Sequence, residues 1–190
     1  MIKSRCAWCG EDPLYISYHD HEWGVPVYSD AKLFEFLVLE TFQAGLSWIT
    51  ILRKRENFRV AFDNFDYQKI ALYDEKKYEI LLLDAGIIRN RLKIRATIGN
   101  AQAFIKLQQE FESFSNYLWE FTNHKPIINN RKNLSEVPAT TPLSDTISKD
   151  LKKRGFKFVG STVIYAYMQA IGMVNDHVQE CFRFKETIIK

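Results

Sequence analysis

The most informative stretch of this sequence is LLLDAGIIRNRLKI, residues 81–94. An apolar helical run ends at a turn that contains Gly86, and a basic segment with Arg89, Arg91 and Lys93 follows it. Glycine permits a tight turn, and backbone N–H groups at the start of the second helix can face a phosphate. The pattern indicates a helix-hairpin-helix element whose residues contact a nucleic acid backbone. An ordinary helical hairpin with solvated arginines fits the same pattern, and the motif alone does not separate the two.

Helical periodicity extends from this hairpin in both directions. Apolar residues recur at spacings of three and four, whereas alternation with period two covers no useful length. The pattern predicts an all-α fold, with helices over residues 31–45, 46–57, 75–86, 90–111, 115–122, 145–155 and 161–171. Asp30, Asp66, Asp74 and Ser144 are candidate N-caps. Residues 124–142 are polar, contain three prolines and are expected to form a long loop.

Bulk composition limits the possible classes of protein. With 190 residues, 46% hydrophobic and 26% charged, the chain is expected to form a single soluble unit over residues 1–190. The net charge of +3 is too small to identify a polyanionic partner by itself. The start of the sequence has no apolar run of signal-peptide length, and the longest apolar stretch, residues 163–174, is too short to span a bilayer. We therefore expect a cytoplasmic protein without membrane contact.

Cysteine and histidine cluster near the two ends of the chain. In a reducing compartment the three cysteines are core residues or metal ligands. The segment NDHVQEC, residues 175–181, places His177 and Cys181 four residues apart, which on a helix puts both side chains on one face. Any two of the N-terminal candidates would complete a tetrahedral set of two cysteines and two histidines. These candidates are Cys6, Cys9, His19 and His21. The alternative is a buried thiol beside a surface histidine.

The segment YISYHDHEWG, residues 15–24, concentrates aromatic and ligating side chains without helical or strand periodicity. A second unusual feature is Glu40, which ends the apolar run FLVLE, residues 36–40. A carboxylate on such a face is costly unless it is satisfied. Together the two features suggest a pocket, although the aromatic residues on their own could be ordinary core side chains.

Six motifs carry a resemblance to one family. They are RCAW (5–8), DPLYISYHDHEWGVP (12–26), LETFQAGLSWITILRKRENF (39–58), DAGIIRNRLKI (84–94), LKKRGFKFVG (151–160) and VNDHVQEC (174–181). In this order, and over nearly the whole chain, they resemble the DNA-3-methyladenine glycosylase I family. The resemblance implies a helix-hairpin-helix DNA glycosylase fold with a zinc-tethered lobe. It also implies an enzyme that releases 3-methyladenine from alkylated double-stranded DNA.

The resemblance assigns roles residue by residue. The implied Zn²⁺ ligands are Cys6, His19, His177 and Cys181. Cys9 remains a rival ligand, and His21 is then spare. The implied base-binding residues are Glu40, Tyr18 and Trp48, with Trp8, Tyr15 and Trp23 close to the pocket. Residues 1–30 and 165–190 would form the zinc-tethered lobe, and residues 31–164 the helical body of a monomer.

The resemblance also bears on mechanism. Many helix-hairpin-helix glycosylases carry an essential aspartate beyond the hairpin, yet no aspartate occurs between Asp84 and Asp145. We therefore expect that departure of a cationic base contributes most of the reactivity. Glu40 would read the base and is a candidate catalytic residue, while the abasic site is left uncut. Leu46, in a glycine-led turn, is the candidate wedge into the duplex. The rival interpretation is a non-enzymatic, zinc-stabilised DNA-binding protein.

Overall fold

The computed structural model describes residues 3–187, which form ten α-helices and two very short strands. The helices are α1 (Pro13–His21), α2 (Asp30–Gln43), α3 (Trp48–Ala61), α4 (Tyr67–Ile70), α5 (Glu75–Leu83), α6 (Arg91–Phe111), α7 (Phe114–Glu120), α8 (Pro142–Lys153), α9 (Ser161–Ala170) and α10 (Phe182–Glu186). Strands β1 (Ile127–Ile128) and β2 (Val174–Asn175) pair in parallel. The all-α prediction is confirmed. Among the helices of residues 3–187, none combines the length and apolar character that a bilayer crossing requires.

Helix α2 is the centre of the core. Every residue from 33 to 42 is buried, and the helix packs against α3, α6, α7 and α9. Burial of each large apolar side chain contributes about 1.5–3 kcal/mol, so the fold is organised around this helix. A helix surrounded on all sides also buries its polar residues. This is why Glu35 and Glu40, with exposed fractions of 5% and 3%, lie inside the protein.

Helix starts follow local capping chemistry at most positions. Asp66 Oδ1 accepts hydrogen bonds from the backbone N–H groups of Gln68 and Lys69, and Asp74 Oδ1 accepts one from Lys77 at 2.9 Å, as predicted. Helix α8 begins at Pro142 rather than at Ser144, because Thr141 and Ser144 form a reciprocal capping box.

The predicted capping role of Asp30 at α2 is wrong. Ser29 is the residue that precedes this helix, and Asp30 is its first helical residue. The Asp30 carboxylate instead accepts hydrogen bonds from the backbone N–H groups of Phe114 at 2.9 Å and Ser115 at 2.8 Å. It therefore satisfies the start of α7, a partner far away in sequence.

Two further segments differ from the local prediction. Residues 13–21 are helical although they lack helical periodicity, because Pro13 opens the helix and the Asp12 carboxylate accepts from the N–H groups of Leu14 and Tyr15. His177 and Cys181 do not share a helix. They follow β2 in a turn, closed by a hydrogen bond from the Cys181 N–H to the Val178 carbonyl at 2.8 Å.

The two ends of the chain lie against each other. The Phe182 N–H donates to the Ser4 carbonyl, and the Gly24 N–H donates to the Gln169 carbonyl. The division into a lobe of residues 1–30 with 165–190 and a body of residues 31–164 stays a prediction. Residues 1–2 and 188–190 of that division lie outside the described residues.

Candidate metal centre and base pocket

Four buried side chains from opposite ends of the chain form one cluster. Cys6 lies in the N-terminal segment before α1, His19 lies on α1, and His177 and Cys181 lie on the turn between β2 and α10. Their ligand atoms all lie within 4.8 Å of one another. The structure thus brings together the four residues that the family resemblance implies, and this cluster can hold a metal ion.

The distances in the cluster fit tetrahedral coordination. His177 Nδ1 lies 3.6 Å from Cys6 Sγ and 3.5 Å from Cys181 Sγ, and His19 Nε2 lies 3.4 Å from Cys181 Sγ. A tetrahedral ion with metal–sulfur bonds of about 2.3 Å and metal–nitrogen bonds of about 2.0 Å separates these atoms by about 3.5 Å. The donor set and its spacing match a closed, four-coordinate site.

Outer hydrogen bonds fix both imidazole rings. His19 Nδ1–H donates to Asp20 Oδ1 at 2.8 Å, and Arg5 donates to the same carboxylate. His177 Nε2–H donates to the Trp23 carbonyl at 3.2 Å. Since a carbonyl can only accept, Nε2 of His177 carries the proton, and Nδ1 offers its lone pair to the cluster. Gly24 makes this contact possible, because a Cβ at this position would lie 2.8 Å from His177 Nε2.

The two rival ligands lie outside the cluster. Cys9 is buried, but its thiol donates to the Cys6 carbonyl at 3.2 Å. His21 is exposed at the end of α1. The helical conformation of residues 13–21 explains the choice, because residues two apart on a helix point in different directions. His19 therefore faces inward and His21 faces solvent.

A cavity of about 430 Å³ lies next to the cluster and has the size of a small-molecule site. It combines residues from α1, α2, α3 and α9, from the N-terminal segment, and from residues 132–137 and 176–180. Its lining includes all six predicted base-binding residues: Trp8, Tyr15, Tyr18, Trp23, Glu40 and Trp48. The structure therefore brings these six side chains to one site.

The electrostatics of the cavity centre on Glu40. Burial raises the pKa of its carboxyl group to about 8, with no cation or hydrogen bond to offset the loss of water. Burial, and then the charge of Glu40, raise the pKa of Tyr18 well above its usual value, so this phenol stays neutral. A carboxyl group with a pKa near neutrality inside a cavity is typical of a functional residue.

Three buried polar atoms on the cavity wall lack a partner. Within residues 3–187, Glu40 Oε2, Trp8 Nε1 and Trp48 Nε1 are buried without any hydrogen bond. Buried polar groups are normally satisfied, and each exception costs about 1–3 kcal/mol. One unsatisfied acceptor and two unsatisfied donors on residues that line the same cavity indicate a place for a polar ligand.

Aromatic rings form most of the remaining wall. Tyr18 and Trp48 have ring centroids 5.3 Å apart, and Trp8 lies 5.0 Å from Tyr15 and 4.9 Å from Trp23. The wall also continues into the metal cluster, since the rings of Trp23 and His177 are 4.6 Å apart and nearly perpendicular. Such a wall favours a flat, electron-poor ligand.

The predicted DNA-contacting residues lie in different environments. Arg89 is exposed between α5 and α6, Arg91 is exposed as the first residue of α6, and Leu46 is 39% exposed between α2 and α3. Gly86 is closely packed, because an added Cβ would lie 2.9 Å from Asp84 Oδ1 and 3.2 Å from the Asn57 side chain. The N–H of Gly86 donates to Asp84 Oδ1 at 2.7 Å, so this backbone group is already used within the turn.

The prediction that Lys93 contacts phosphate requires correction. Lys93 is buried, and its Nζ donates to the carbonyls of Phe42 at 2.9 Å and Ala44 at 2.7 Å. These carbonyls belong to the C-terminal end of α2, where a cation is favoured. Lys93 therefore stabilises the α2–α6 contact, and its ammonium group is not available to a ligand.

A second helical hairpin, between α8 and α9, carries the basic run of residues 152–160. Lys152 and Lys153 are exposed at the end of α8, and Gly160 precedes α9. Asn100 on α6 holds the turn by hydrogen bonds to both the N–H and the carbonyl of Lys157, at 2.8 and 3.0 Å. Because α9 also lines the cavity, this hairpin is directly connected to the site.

Sequence reasoning missed several cavity residues. They are Gln43, Lys132, Asn133, Leu134, Val137 and Gln169. Four of them lie in the loop predicted over residues 124–142, which in the structure contains β1 and a 3-10 turn, Leu134–Glu136. A polar loop carries no periodic pattern, so its position over a cavity could not be read from the sequence.

Comparisons with known proteins agree with this arrangement. The family model described as Methyladenine glycosylase matches residues 8–184. DNA-3-methyladenine glycosylase 1 from Escherichia coli (strain K12) is 55% identical over 177 residues, or 93% of this chain and 95% of that protein. A crystal structure of 3-methyladenine DNA glycosylase I has a TM-score of 0.92 at 52% identity, covering 94% of this chain and 98% of the other. A variant of 3-methyladenine DNA glycosylase I in complex with 3-methyladenine has a TM-score of 0.91 at 36% identity, covering 94% and 96%. The chain belongs to the methyladenine glycosylase family.

Proposed function

We propose that this protein is a DNA base-excision repair glycosylase. It would hydrolyse the N-glycosidic bond of 3-methyladenine in alkylated double-stranded DNA and leave an abasic site. The observation that carries the proposal is the unpartnered, buried carboxyl group of Glu40 within an aromatic cavity. The named relatives act on the same base, and one solved structure holds it.

The chemistry of the lesion matches the cavity. Methylation of adenine at ring nitrogen 3 gives a cationic, electron-poor base within DNA. Such a base favours the faces of Tyr18 and Trp48, and its exocyclic amine can donate to Glu40. Stacking contributes about 1–3 kcal/mol per base, and a charge-assisted hydrogen bond about 1.5–3 kcal/mol. Together these offset the few kcal/mol needed to extrude the nucleotide.

Glu40 also makes binding depend on the charge of the base. Its pKa of about 8 keeps the carboxyl group mostly protonated at pH 7 while the cavity holds no cation. A cationic base lowers this pKa and favours the carboxylate. An uncharged adenine offers no such gain, so the cost of ionising Glu40 discriminates against it. Glu40 is thus the specificity-determining residue, and its negative charge can stabilise the oxocarbenium-like sugar as the bond breaks.

Activation of water is a smaller part of this mechanism, because a cationic base leaves as a neutral molecule and the glycosidic bond is already weakened. After the hairpin of residues 81–94, the next aspartate in the sequence is Asp145. After the α8–α9 hairpin, the next aspartate is Asp176, which lines the cavity. Four hydrogen-bond donors occupy its two oxygens, so Asp176 is not a free base for water.

Zinc is the metal we assign to the cluster of Cys6, His19, His177 and Cys181. Two thiolates and two imidazoles are its preferred ligands, and the protein supplies all four positions. A closed coordination shell supplies structural stability. The four cluster residues join the N-terminal segment to the turn after β2. His19 and His177 contact the rings of Trp8 and Trp23, so this connection keeps both tryptophans in place on the cavity wall.

Contact with DNA is assigned to three exposed features around the cavity. Arg89, in the turn before α6, and Arg91, at the start of α6, would contact phosphates, and the α8–α9 hairpin would contact a second part of the backbone. Leu46 would fill the gap in the base stack beside the cavity. These contacts carry no sequence information, which suits a repair enzyme that must act at any adenine.

A base-release assay tests the proposal. Purified protein is incubated with methylated double-stranded DNA and the released bases are identified, using wild type, Glu40→Gln and the exposed control Glu120→Gln. We expect release of 3-methyladenine, a loss of roughly one to two powers of ten in rate for Glu40→Gln, and no change for Glu120→Gln. A non-enzymatic DNA-binding protein would release no base in any of the three samples.

A further inference from the structure

One wall of the base pocket is an irregular segment, residues 129–137, which we call the wall segment. Lys132, Asn133, Leu134 and Val137 from this segment line the cavity. The side chains of residues 132–136 are exposed, and Leu134 has an exposed fraction of 50%. The wall segment therefore gains little stability from burial of its own side chains. Its position depends on where its ends are attached.

Asp176 provides the attachment. Its Oδ1 accepts hydrogen bonds from Asn129 Nδ2 at 2.8 Å and from Arg131 Nε at 3.3 Å. The backbone adds to this contact, because the Gln179 N–H donates to the Arg131 carbonyl at 2.9 Å and the Asn129 N–H donates to the Asn175 carbonyl at 3.1 Å. The first residues of the wall segment are thus bound to the turn that follows β2.

The second oxygen of the same carboxylate is bound to α9. Tyr165 Oη donates to Asp176 Oδ2 at 2.6 Å, and Gln169 Nε2 donates to it at 2.8 Å. The Asp176 side chain has an exposed fraction of 0%. A buried carboxylate is stable only when it is paired and hydrogen-bonded, and here donors from two elements meet that requirement. One charged group therefore joins the wall segment to the helix on which the pocket is built.

We propose that Asp176 is a positioning residue that holds the wall segment against α9 and so keeps the base pocket narrow and dry. This inference rests on the proposed function, because it concerns the binding of 3-methyladenine at the same site. Hydrogen bonds and charge interactions at Glu40 are strong only where water is excluded. A displaced wall segment would admit water to the base and to Glu40 while leaving the helical core intact.

The decisive variant is Arg131→Met, which removes the charged one of the two side-chain contacts from the wall segment, keeps the contact from Asn129 and leaves Asp176 in place. Asp176→Asn is its partner variant, Arg131→Lys tests rescue by a positive charge, and Arg95→Met is the control. Arg95 forms a comparable ion pair with Glu75 on the exposed α5–α6 surface. Each protein is loaded with zinc, and its zinc content and melting temperature are recorded.

Two measurements then test the inference. Hydrogen exchange reports the mobility of residues 129–137, and titration with free 3-methyladenine reports base affinity. For Arg131→Met we expect about tenfold faster exchange in the wall segment and about tenfold weaker base binding. Zinc content stays close to that of wild type, and the melting temperature falls because the buried Asp176 carboxylate loses its cation. Arg131→Lys restores part of both losses, and Arg95→Met shows neither.

The possible failures are distinguishable. Unchanged exchange in Arg131→Met and Asp176→Asn would show that the carboxylate does not hold the wall segment. Faster exchange with unchanged base affinity would show that the wall segment does not shape the pocket. Either result overturns the inference, and Arg131→Met decides if Asp176→Asn does not fold. A wild-type protein that neither binds nor releases 3-methyladenine would instead overturn the proposed function, and this inference with it.

Discussion

The buried carboxyl group of Glu40 makes a quantitative prediction about stability and pH. Its pKa is about 8 in the folded protein, against 4.5 for an ordinary glutamate, and its exposed fraction is 3%. Below about pH 4.5 the group is protonated in both the folded and unfolded states and contributes no difference. Between pH 4.5 and 8 the unfolded chain ionises while the folded protein holds its proton, so the free energy of unfolding falls as pH rises.

The magnitude follows from the shift. One pKa unit corresponds to about 1.4 kcal/mol, so a shift from 4.5 to about 8 corresponds to a total loss of about 5 kcal/mol at high pH. Between pH 6 and pH 8 the loss is about 2 kcal/mol, because ionisation of the folded state begins to limit it near pH 8. Glu40→Gln keeps the shape of the side chain and removes this ionisation.

Urea unfolding of zinc-loaded wild type and Glu40→Gln at pH 6 and pH 8 measures the effect. Wild type should lose about 2 kcal/mol more than the variant over this interval. All other ionisable groups are the same in both proteins, so their contribution cancels in the difference. The control Glu120→Gln should follow wild type. Equal losses in wild type and Glu40→Gln would refute the reasoning, because Glu40 would then be ionised in the empty pocket.

Three further predictions concern the metal, the aromatic wall and the hairpin. Cys181→Ser should weaken zinc binding and lower the melting temperature strongly, because structural zinc contributes up to ~10–16 kcal/mol of gross binding energy. A variant with full zinc content and an unchanged melting temperature would contradict the closed site. Trp48→Ala should weaken binding of 3-methyladenine by about 1–3 kcal/mol in a titration, and unchanged affinity would remove Trp48 from the stacking surface. Arg91→Ala should reduce the slope of log K against log salt for DNA binding by about 1. Lys93→Met should leave that slope unchanged and lower the free energy of unfolding by about 1–3 kcal/mol. The opposite pattern would show that Lys93 contacts phosphate and that Arg91 stabilises the fold.

Helices with local capping chemistry could be predicted from the sequence. Asp66 and Asp74 cap helices within three residues of themselves, so the prediction required no knowledge of the fold. The cluster of cysteine and histidine could be predicted because these residue types near both chain ends allow few combinations. The family resemblance then selected His19 over His21, a choice that spacing alone left open.

Long-range partners could not be predicted in the same way. Asp30 and Lys93 are an acid and a base near helix starts, and local patterns assigned Asp30 to the cap of α2 and Lys93 to a DNA phosphate. In the structure each satisfies backbone groups that are distant in sequence, at α7 and at the end of α2. Helix α1 was missed for a related reason. This helix lies between the cavity and the cluster and buries the adjacent residues Tyr18 and His19. Because it is buried on more than one face, its apolar residues do not recur with helical periodicity.

The metal cluster has a consequence for the order in which the protein matures. Cys6 and His177 are 171 positions apart in the chain, so the ribosome completes one ligand long before the other. During synthesis Glu40 and Trp48 emerge early, but Asp176, Val178 and Glu180 close the cavity only after nearly the whole chain has left the exit tunnel. A nascent or truncated chain therefore has the Glu40 carboxyl group without the enclosure of the finished cavity. The zinc ion that we propose for this cluster could therefore be held by all four side chains only after His177 and Cys181 have been synthesised.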